Sequence, residues 1–388
     1  MMNEELKWRV ARIQKMMAEQ QVDACLVTTN TNLLYLAGRL VSGYIYILPE
    51  GNPYYFIRRP QMEETDHQIM VRKPEVIPSL LQSVGISMPK RLMVEADEMT
   101  HTEWLRYQAI FPNAELCDGT HHLRVVRAVK SAAELDLVRE SGRLQSLAYE
   151  SFPSLYRPGM SDNEYAVEME HRMRQSGNLG IVRIFGQSME IFFGSVLSGD
   201  NAQAASTFDF ALGGAGLHPS VPVGQNGTVP TDGQTFMVDI CGNFNGYHVD
   251  QTRVFSVGKT TDAAYYAHNV SLEIHQMFQE KARPGVTCEE LFENAWAIAR
   301  KHHLEDHFMG TRQQAKFVGH GIGLVLNELP VICAKNKMVL QAGMTIAWEP
   351  KFIVDGVGAV GNENTFIVRE NQDAECVTTA NPLIVNLK

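Results

Sequence analysis

Gly233-Gln234-Thr235-Phe236-Met237-Val238-Asp239 and Gly343-Met344-Thr345-Ile346-Ala347-Trp348-Glu349 share one construction: a glycine opens an apolar run and an acid ends it. A second acid follows each run, Asp250 after the first and Glu363 after the other. Runs of this kind are buried by a fold, and an ionised carboxylate among them is costly unless a cation accompanies it. Four such acids predict one shared cation site.

Between Asp239 and Asp250 lies Ile240-Cys241-Gly242-Asn243-Phe244-Asn245-Gly246-Tyr247-His248-Val249. Its turn-rich centre is flanked by strand formers, so the two aspartates are expected to face each other across a hairpin. Glu349 and Glu363 are separated likewise by Val354-Asp355-Gly356-Val357-Gly358. The hairpins belong to a longer repeat. Arg157-Pro158-Gly159-Met160-Ser161-Asp162-Asn163-Glu164 recurs as Arg283-Pro284-Gly285-Val286-Thr287-Cys288-Glu289-Glu290, each time between two helical stretches. Ser161 with Glu164, and Thr287 with Glu290, are spaced as capping boxes. A turn, a helix and a Gly-x-Thr strand repeated in one order predict two similar halves. Packed about a pseudo-twofold axis, the halves bring their four carboxylates together.

A nitrogen ligand is offered by His320 in Val318-Gly319-His320-Gly321-Ile322-Gly323, where the flanking glycines let the backbone approach closely. Four carboxylates and one imidazole exceed what a single zinc takes. They suit a pair of divalent ions, with Mn²⁺ first and Fe²⁺, Co²⁺ or Zn²⁺ as alternatives. Such a pair neutralises the acids, holds a bridging hydroxide at neutral pH and polarises a carbonyl, which is metal-assisted hydrolysis.

Outside these motifs the reading is plainer. Residues 1–125 alternate helix and strand: a helix near Glu5 to Gln20, then strands at Ala24 to Val27, Tyr44 to Leu48 and Tyr54 to Ile57. This small α/β domain carries no phosphate loop and no clustered acids or histidines. Residues 126–388 form the second domain, opening on a long amphipathic helix through Glu150. Composition narrows the function further. A length of 388 residues with 45% hydrophobic content supports a sizeable core, and a formal net charge of −10 argues against nucleic acid or anionic membrane as partner. The start, Met1-Met2-Asn3-Glu4-Glu5-Leu6-Lys7, is acidic where a secretion signal would be basic, so a cytoplasmic protein is expected. Six scattered cysteines form no Cys-x-x-Cys pair and read as reduced packing residues. His303 and His307 are read as a solvated helix end rather than half a zinc site, and His121-His122 as part of an irregular stretch.

With these residues assembled, the chain resembles the aminopeptidase P, prolidase and creatinase superfamily, the pita-bread fold. The resemblance rests on Met237-Val238-Asp239, Gly246-Tyr247-His248-Val249-Asp250-Gln251-Thr252-Arg253, Gly319-His320-Gly321-Ile322-Gly323, Trp348-Glu349-Pro350 and Asn362-Glu363-Asn364-Thr365. Asn32-Leu33-Leu34-Tyr35-Leu36-Ala37-Gly38 resembles the creatinase-type amino-terminal domain. The resemblance implies an α/β (α+β) chain: a creatinase-type domain followed by a pita-bread domain with internal pseudo-twofold symmetry. It also implies a homodimeric two-metal hydrolase of Xaa-Pro bonds in short peptides, whose missing amide N–H excludes them from the extended pairing most proteases use. Asp239, Asp250, His320, Glu349 and Glu363 are then the ligands. Glu349 also carries the proton from the water to the leaving nitrogen. His218, in Gly213-Gly214-Ala215-Gly216-Leu217-His218-Pro219, resembles the family's substrate-facing histidine.

Three positions depart from the family pattern. Asn327 stands where a second histidine usually follows the ligand; it can donate to an oxyanion but carries no proton. Lys316 stands in place of a histidine, and Gly361 in place of an arginine, which removes a cation that could pair with a carboxylate. Two other functions compete with Xaa-Pro hydrolysis: creatinase-like cleavage of a C–N bond in a small metabolite, and a non-catalytic binding module.

Overall fold

The computed structural model describes residues 4–186 and 192–388, so part of the acidic start, residues 1–3, lies outside the described residues. The chain divides into two compact units, Met1–Arg127 and Ala128–Lys388. No helix among the described residues is long and apolar enough to cross a membrane.

The first unit is a six-stranded sheet of β1 (Ala24–Val27), β2 (Ser42–Ile47), β3 (Tyr54–Arg59), β4 (Gln68–Met70), β5 (Arg91–Val94) and β6 (Glu115–Asp118). Its order is β4-β3-β2-β1-β5-β6, with β1 antiparallel to β2 and parallel to β5. Helix Glu4–Glu19 buries Val10, Ile13, Met16 and Met17 at helical spacing. The stretch holding His121 and His122 is regular rather than irregular, forming helix Thr120–Ala128 with the two rings edge to face.

The second unit carries the repeat in its backbone. Its strands are β7 (Gly194–Ser198), β8 (Thr235–Asn243), β9 (His248–Ser256), β10 (Phe317–Gly321), β11 (Glu328–Cys333), β12 (Thr345–Trp348), β13 (Lys351–Val354), β14 (Gly358–Gly361), β15 (Asn364–Ile367), β16 (Glu375–Cys376) and β17 (Val385–Asn386). One sheet runs β17-β9-β8-β7 and another β11-β10-β12-β15-β16, with β13-β14 as a separate pair. The opening glycines of the two motifs adopt the same left-handed turn, φ 87° at Gly233 and 84° at Gly343, which a side chain would strain. Gly233 N–H donates to Val257 O and Gly343 N–H to Val368 O. In the return direction Val257 N–H donates to Gln234 O and Val368 N–H to Met344 O. The pair β8/β9 therefore corresponds to β12/β15, bond for bond at the turn.

The Arg-Pro-Gly turns also match, with φ 88° at Gly159 and 95° at Gly285. Their caps differ. Ser161 and Glu164 make the full reciprocal box before helix Asp162–Gln175. Before helix Cys288–Lys301 Thr287 accepts from Glu290 N–H, and the neighbouring amides of Cys288 and Glu289 are taken by the carbonyls of Met338 and Asn336. The expected pair at His303 and His307 does not share a helix: the helix ends at Lys301, His303 is left-handed at φ 56°, and His307 Nδ1 faces Ile353 O. All six cysteines are free.

Packing centres on Trp348, fully buried at the end of β12 and stacked on Phe278 at 4.4 Å between centroids. Phe278 lies on helix Asp262–Lys281, which also grips the strands leading to the second acidic hairpin. Ser271 Oγ donates to Pro350 O and accepts from Asn362 N–H; His268 Nδ1 accepts from Gly361 N–H while Nε2 faces Pro382 O. A carbonyl only accepts, so the proton of His268 sits on Nε2 and Nδ1 has no room for a second one. Burial accordingly lowers the His268 pKa from 6.5 to about 4. The unfolded chain takes up a proton near pH 6.5 that the folded chain refuses until about 4. Stability from this histidine is thus complete above 6.5 and is lost as pH falls, by on the order of 3 kcal/mol. Denaturant titrations between pH 7 and 4 are expected to show this loss and a shallower slope in His268→Asn; an unchanged slope would exclude the account.

Candidate metal centre

Strand alternation delivers the acids. On β8 and β9 Cys241 is opposite Asp250 and Asp239 is opposite Thr252. The two aspartates are therefore diagonal neighbours on one face rather than the directly facing pair expected, because the hairpin register is set by the Asn243 to His248 turn. Glu349 and Glu363 lie between two pairings of constant register, Trp348 with Asn364 and Lys351 with Gly361, which puts them at facing positions. A backbone bridge joins the halves: Thr252 N–H donates to Glu363 O at 3.3 Å and Glu363 N–H to Thr252 O at 3.2 Å. Thr252 Oγ1 donates to Glu363 Oε2 at 2.8 Å. Arg253, buried beside it, donates to the carbonyls of Glu363, Thr252 and Ala380 and to Asn364 Oδ1. This guanidinium serves the crossing of the strands and leaves the carboxylates to other partners.

The five expected ligands fall into two groups with ligand atoms within 4.8 Å of one another: Asp250 with His320 and Glu363, and Asp239 with Glu349 and Glu363. His320 is held on β10 opposite Ala347 of β12, and its Nδ1 faces Gly321 O at 3.0 Å. Since a carbonyl cannot donate, Nδ1 carries a proton, which leaves Nε2 as the nitrogen placed to ligate a metal. Nε2 is 3.7 Å from Glu349 Oε1. Glu363 is 1% exposed and its Oε1 has no hydrogen-bond partner among the described residues. An orphaned buried carboxylate oxygen beside an imidazole nitrogen and a second buried acid fits a divalent cation. Asp250 and Glu363 are both pushed well above the usual carboxylate range, first by burial and then by the neighbouring acids.

The second group already has a cation that sequence reasoning did not anticipate. Lys351, fully buried, donates from Nζ to Asp239 Oδ2 at 2.8 Å, Glu349 Oε2 at 2.9 Å and Glu363 Oε2 at 3.1 Å. Burial opposes its charge, but Asp239, Glu349 and Glu363 outweigh that and hold its pKa well above the ordinary lysine value. The signal was present in period-two alternation, since Lys351 is two residues beyond Glu349 on the same face. Gly361 is its cross-strand partner, and a Cβ there would lie 2.5 Å from Pro350 O and 2.9 Å from Lys351 Cα. The charge missing at Gly361 is thus supplied from the opposite strand.

The remaining positions have partners or surroundings of their own. Lys316 is exposed. His218 is on an exposed turn with Nδ1 engaged by Ser220 Oγ at 2.8 Å and Ser220 N–H at 3.1 Å. Asn327 spends both ends of its amide on one residue, accepting from Phe185 N–H at 2.7 Å and donating to Phe185 O at 2.9 Å. The same segment is held by Leu326 N–H to Arg183 O and Arg183 N–H to His248 Nε2. Glu328, after Asn327, accepts from the amides of Leu324 and Val325 and so shapes the loop that follows His320.

Comparisons with known proteins bear on the fold and the family. Residues 9–129 match the creatinase/prolidase N-terminal domain. Xaa-Pro dipeptidase from Pyrococcus horikoshii is 24% identical, with 99% of each chain covered, and peptidase YqhT of Bacillus subtilis is 24% identical over 97% of this chain and 99% of that one. Among solved structures, Xaa-Pro dipeptidase from Bacillus anthracis superposes with a TM-score of 0.79 at 21% identity, covering 98% of this chain and 99% of that one. X-Pro aminopeptidase from Thermotoga maritima gives 0.77 at 21% identity, covering 97% and 99%. These likenesses establish the fold, a creatinase-type domain followed by a pita-bread domain. Residues 136–370, more than half of the sequence, match the model of metallopeptidase family M24, and the chain belongs to that family.

Proposed function

We propose that this protein hydrolyses Xaa-Pro bonds in short peptides with the help of divalent metal, Mn²⁺ being the ion best suited to an oxygen-rich set with one imidazole. The observation that carries the reading is the convergence of Asp239, Asp250, His320, Glu349 and Glu363 from two hairpins and a glycine-flanked strand, in an M24 chain. Asp250, His320 and Glu363 would hold the ion, which supplies Lewis acidity toward the scissile carbonyl when bound. Glu349 is assigned the proton transfer. Its Oε2 is tied to Lys351 Nζ, which leaves Oε1, facing His320, as the atom that takes a proton from water and passes it to the proline nitrogen. His218 is assigned the substrate-facing role from its exposed turn. Operation in the cytoplasm as a homodimer completes the reading.

Asn327 is assigned a positioning role, because both ends of its amide are occupied by Phe185. A second reading, hydrolysis of a C–N bond in a small metabolite, draws support from Lys351, a cation inside the carboxylate cluster.

A panel of Xaa-Pro di- and tripeptides assayed with Mn²⁺, Fe²⁺, Co²⁺ and Zn²⁺ is expected to show metal-dependent cleavage, and Glu349→Gln to lower kcat by about 10²–10⁴ with metal content and fold retained. Absence of cleavage with every ion would sink the peptidase reading, and turnover of a small amidine or guanidine in its place would establish the second. For Asn327→Ala we expect faster amide exchange at Phe185 and a fall in kcat of less than about tenfold, where loss of an oxyanion donor costs about 10²–10³. A fall in that larger range without loosening at Phe185 would return Asn327 to the oxyanion role.

A further inference from the structure

The carboxylate cluster has two places for a cation, and one is filled by the chain itself. Asp239, Glu349 and Glu363 all accept from Lys351 Nζ, and these are the same three residues that form the second potential metal group. A divalent ion there would have to take oxygens from the ammonium while lying beside it, two like charges in a water-poor site. The lysine is enclosed. Its side chain is 0% exposed, its backbone is paired in β13 to Gly361, and it lies between helix contacts at Pro350 and Asn362.

Charge bookkeeping agrees. Four carboxylates set against one ammonium and one divalent ion leave a single residual negative charge, whereas two divalent ions and the ammonium overshoot to positive. Glu363 divides its oxygens accordingly: Oε2 accepts from Lys351 and Thr252, and Oε1, in the other group, has no hydrogen-bond partner among the described residues.

We propose that Lys351 stands in for one of the two cations, so that this chain is a one-metal centre holding a single divalent ion at Asp250, His320 and Glu363. The inference deepens the hydrolase reading and rests on it for the presence of an ion, but it concerns stoichiometry and can fail while the activity stands. The ammonium also changes the chemistry available. It neutralises Asp239 and one oxygen of Glu349 with hydrogen-bond donors, whereas a second ion in that place would have offered an open coordination position. The substrate or water must then be polarised from one side only.

The test is metal content at equilibrium, measured by elemental analysis after dialysis against Mn²⁺ and by calorimetric titration of the same protein. Wild-type chain is expected to bind one ion, with the Mn²⁺ electron paramagnetic resonance spectrum of an isolated centre. Lys351→Met, which keeps the length and removes the charge, is expected to bind two with an exchange-coupled spectrum, and its melting temperature to rise on adding Mn²⁺ by more than that of wild type. Because Lys351→Met leaves buried acids uncompensated, a wild-type background supplies an independent arm. Asp250→Asn or His320→Ala is expected to lower affinity for the single ion at least tenfold, while Asp239→Asn changes it less than threefold. Two ions in wild type, none in wild type, no increase in a folded Lys351→Met, or an Asp239→Asn loss equal to that of Asp250→Asn would each overturn the proposal. Peptide turnover plays no part in these readouts, so an inactive protein with one ion would refute the proposed substrate and leave the one-metal centre standing.

Discussion

Everything around the cluster answers one constraint, that four carboxylates are held together among strands whose side chains are almost wholly buried. Such a group has no reason to exist without positive charge, and the chain provides part of it. Lys351 is tied to three of the acids, and the orphaned oxygen of Glu363 with Nε2 of His320 marks where the rest is needed. The surrounding polar contacts are second to this. Arg253 satisfies backbone carbonyls, Thr252 and Thr365 knit β9 to the strand bearing Glu363, and helix Asp262–Lys281 fixes the peptide groups on either side. These bonds fix the backbone that carries the carboxylates.

The repeat explains how so many acids reach one place. Both halves use a glycine in a left-handed turn, an apolar strand and a returning strand, and they form the same pair of backbone bonds at the turn. Where the halves diverge, function follows. The second half alone brings β10 with His320 against its acidic strand, and it alone carries the lysine. Family membership fixes the scaffold and the class of chemistry, whereas identities near 24% with named relatives leave the immediate surroundings of the centre to be read from this chain.

Much of this was legible from residues alone because buried acids in apolar strands are conspicuous. Asp239, Asp250, Glu349 and Glu363 each close or follow such a run, and His320 is set off by glycines, so type and order sufficed. Register was less legible: whether Asp250 lies opposite Asp239 or diagonal to it depends on a two-residue difference in the length of the turn, and the hairpin chose the diagonal. Lys351 escaped notice because Pro350 reads as the end of a strand, which hides the alternation that places residues 349 and 351 on one face. Gly361 was read as a lost cation because a strand's partner is not visible in sequence. Asn327 looked available for substrate because the segment that occupies it, near Phe185, lies far away along the chain.

The bridge between Thr252 and Glu363 spans 111 residues of sequence, and it is the point where the two halves meet at the acids. Asp239 and Asp250 arrive from one side of that seam and His320, Glu349, Lys351 and Glu363 from the other. Neither half owns a complete set of charges. The ammonium of Lys351 serves Glu349 and Glu363 within its own half and reaches Asp239 across the seam, so the first half draws its compensating charge from the second. The centre is in this sense an alignment joint: a slip of one position along β8 would turn Asp239 to the opposite face and part it from Lys351 Nζ, so the ion pair across the seam favours the one register that keeps it.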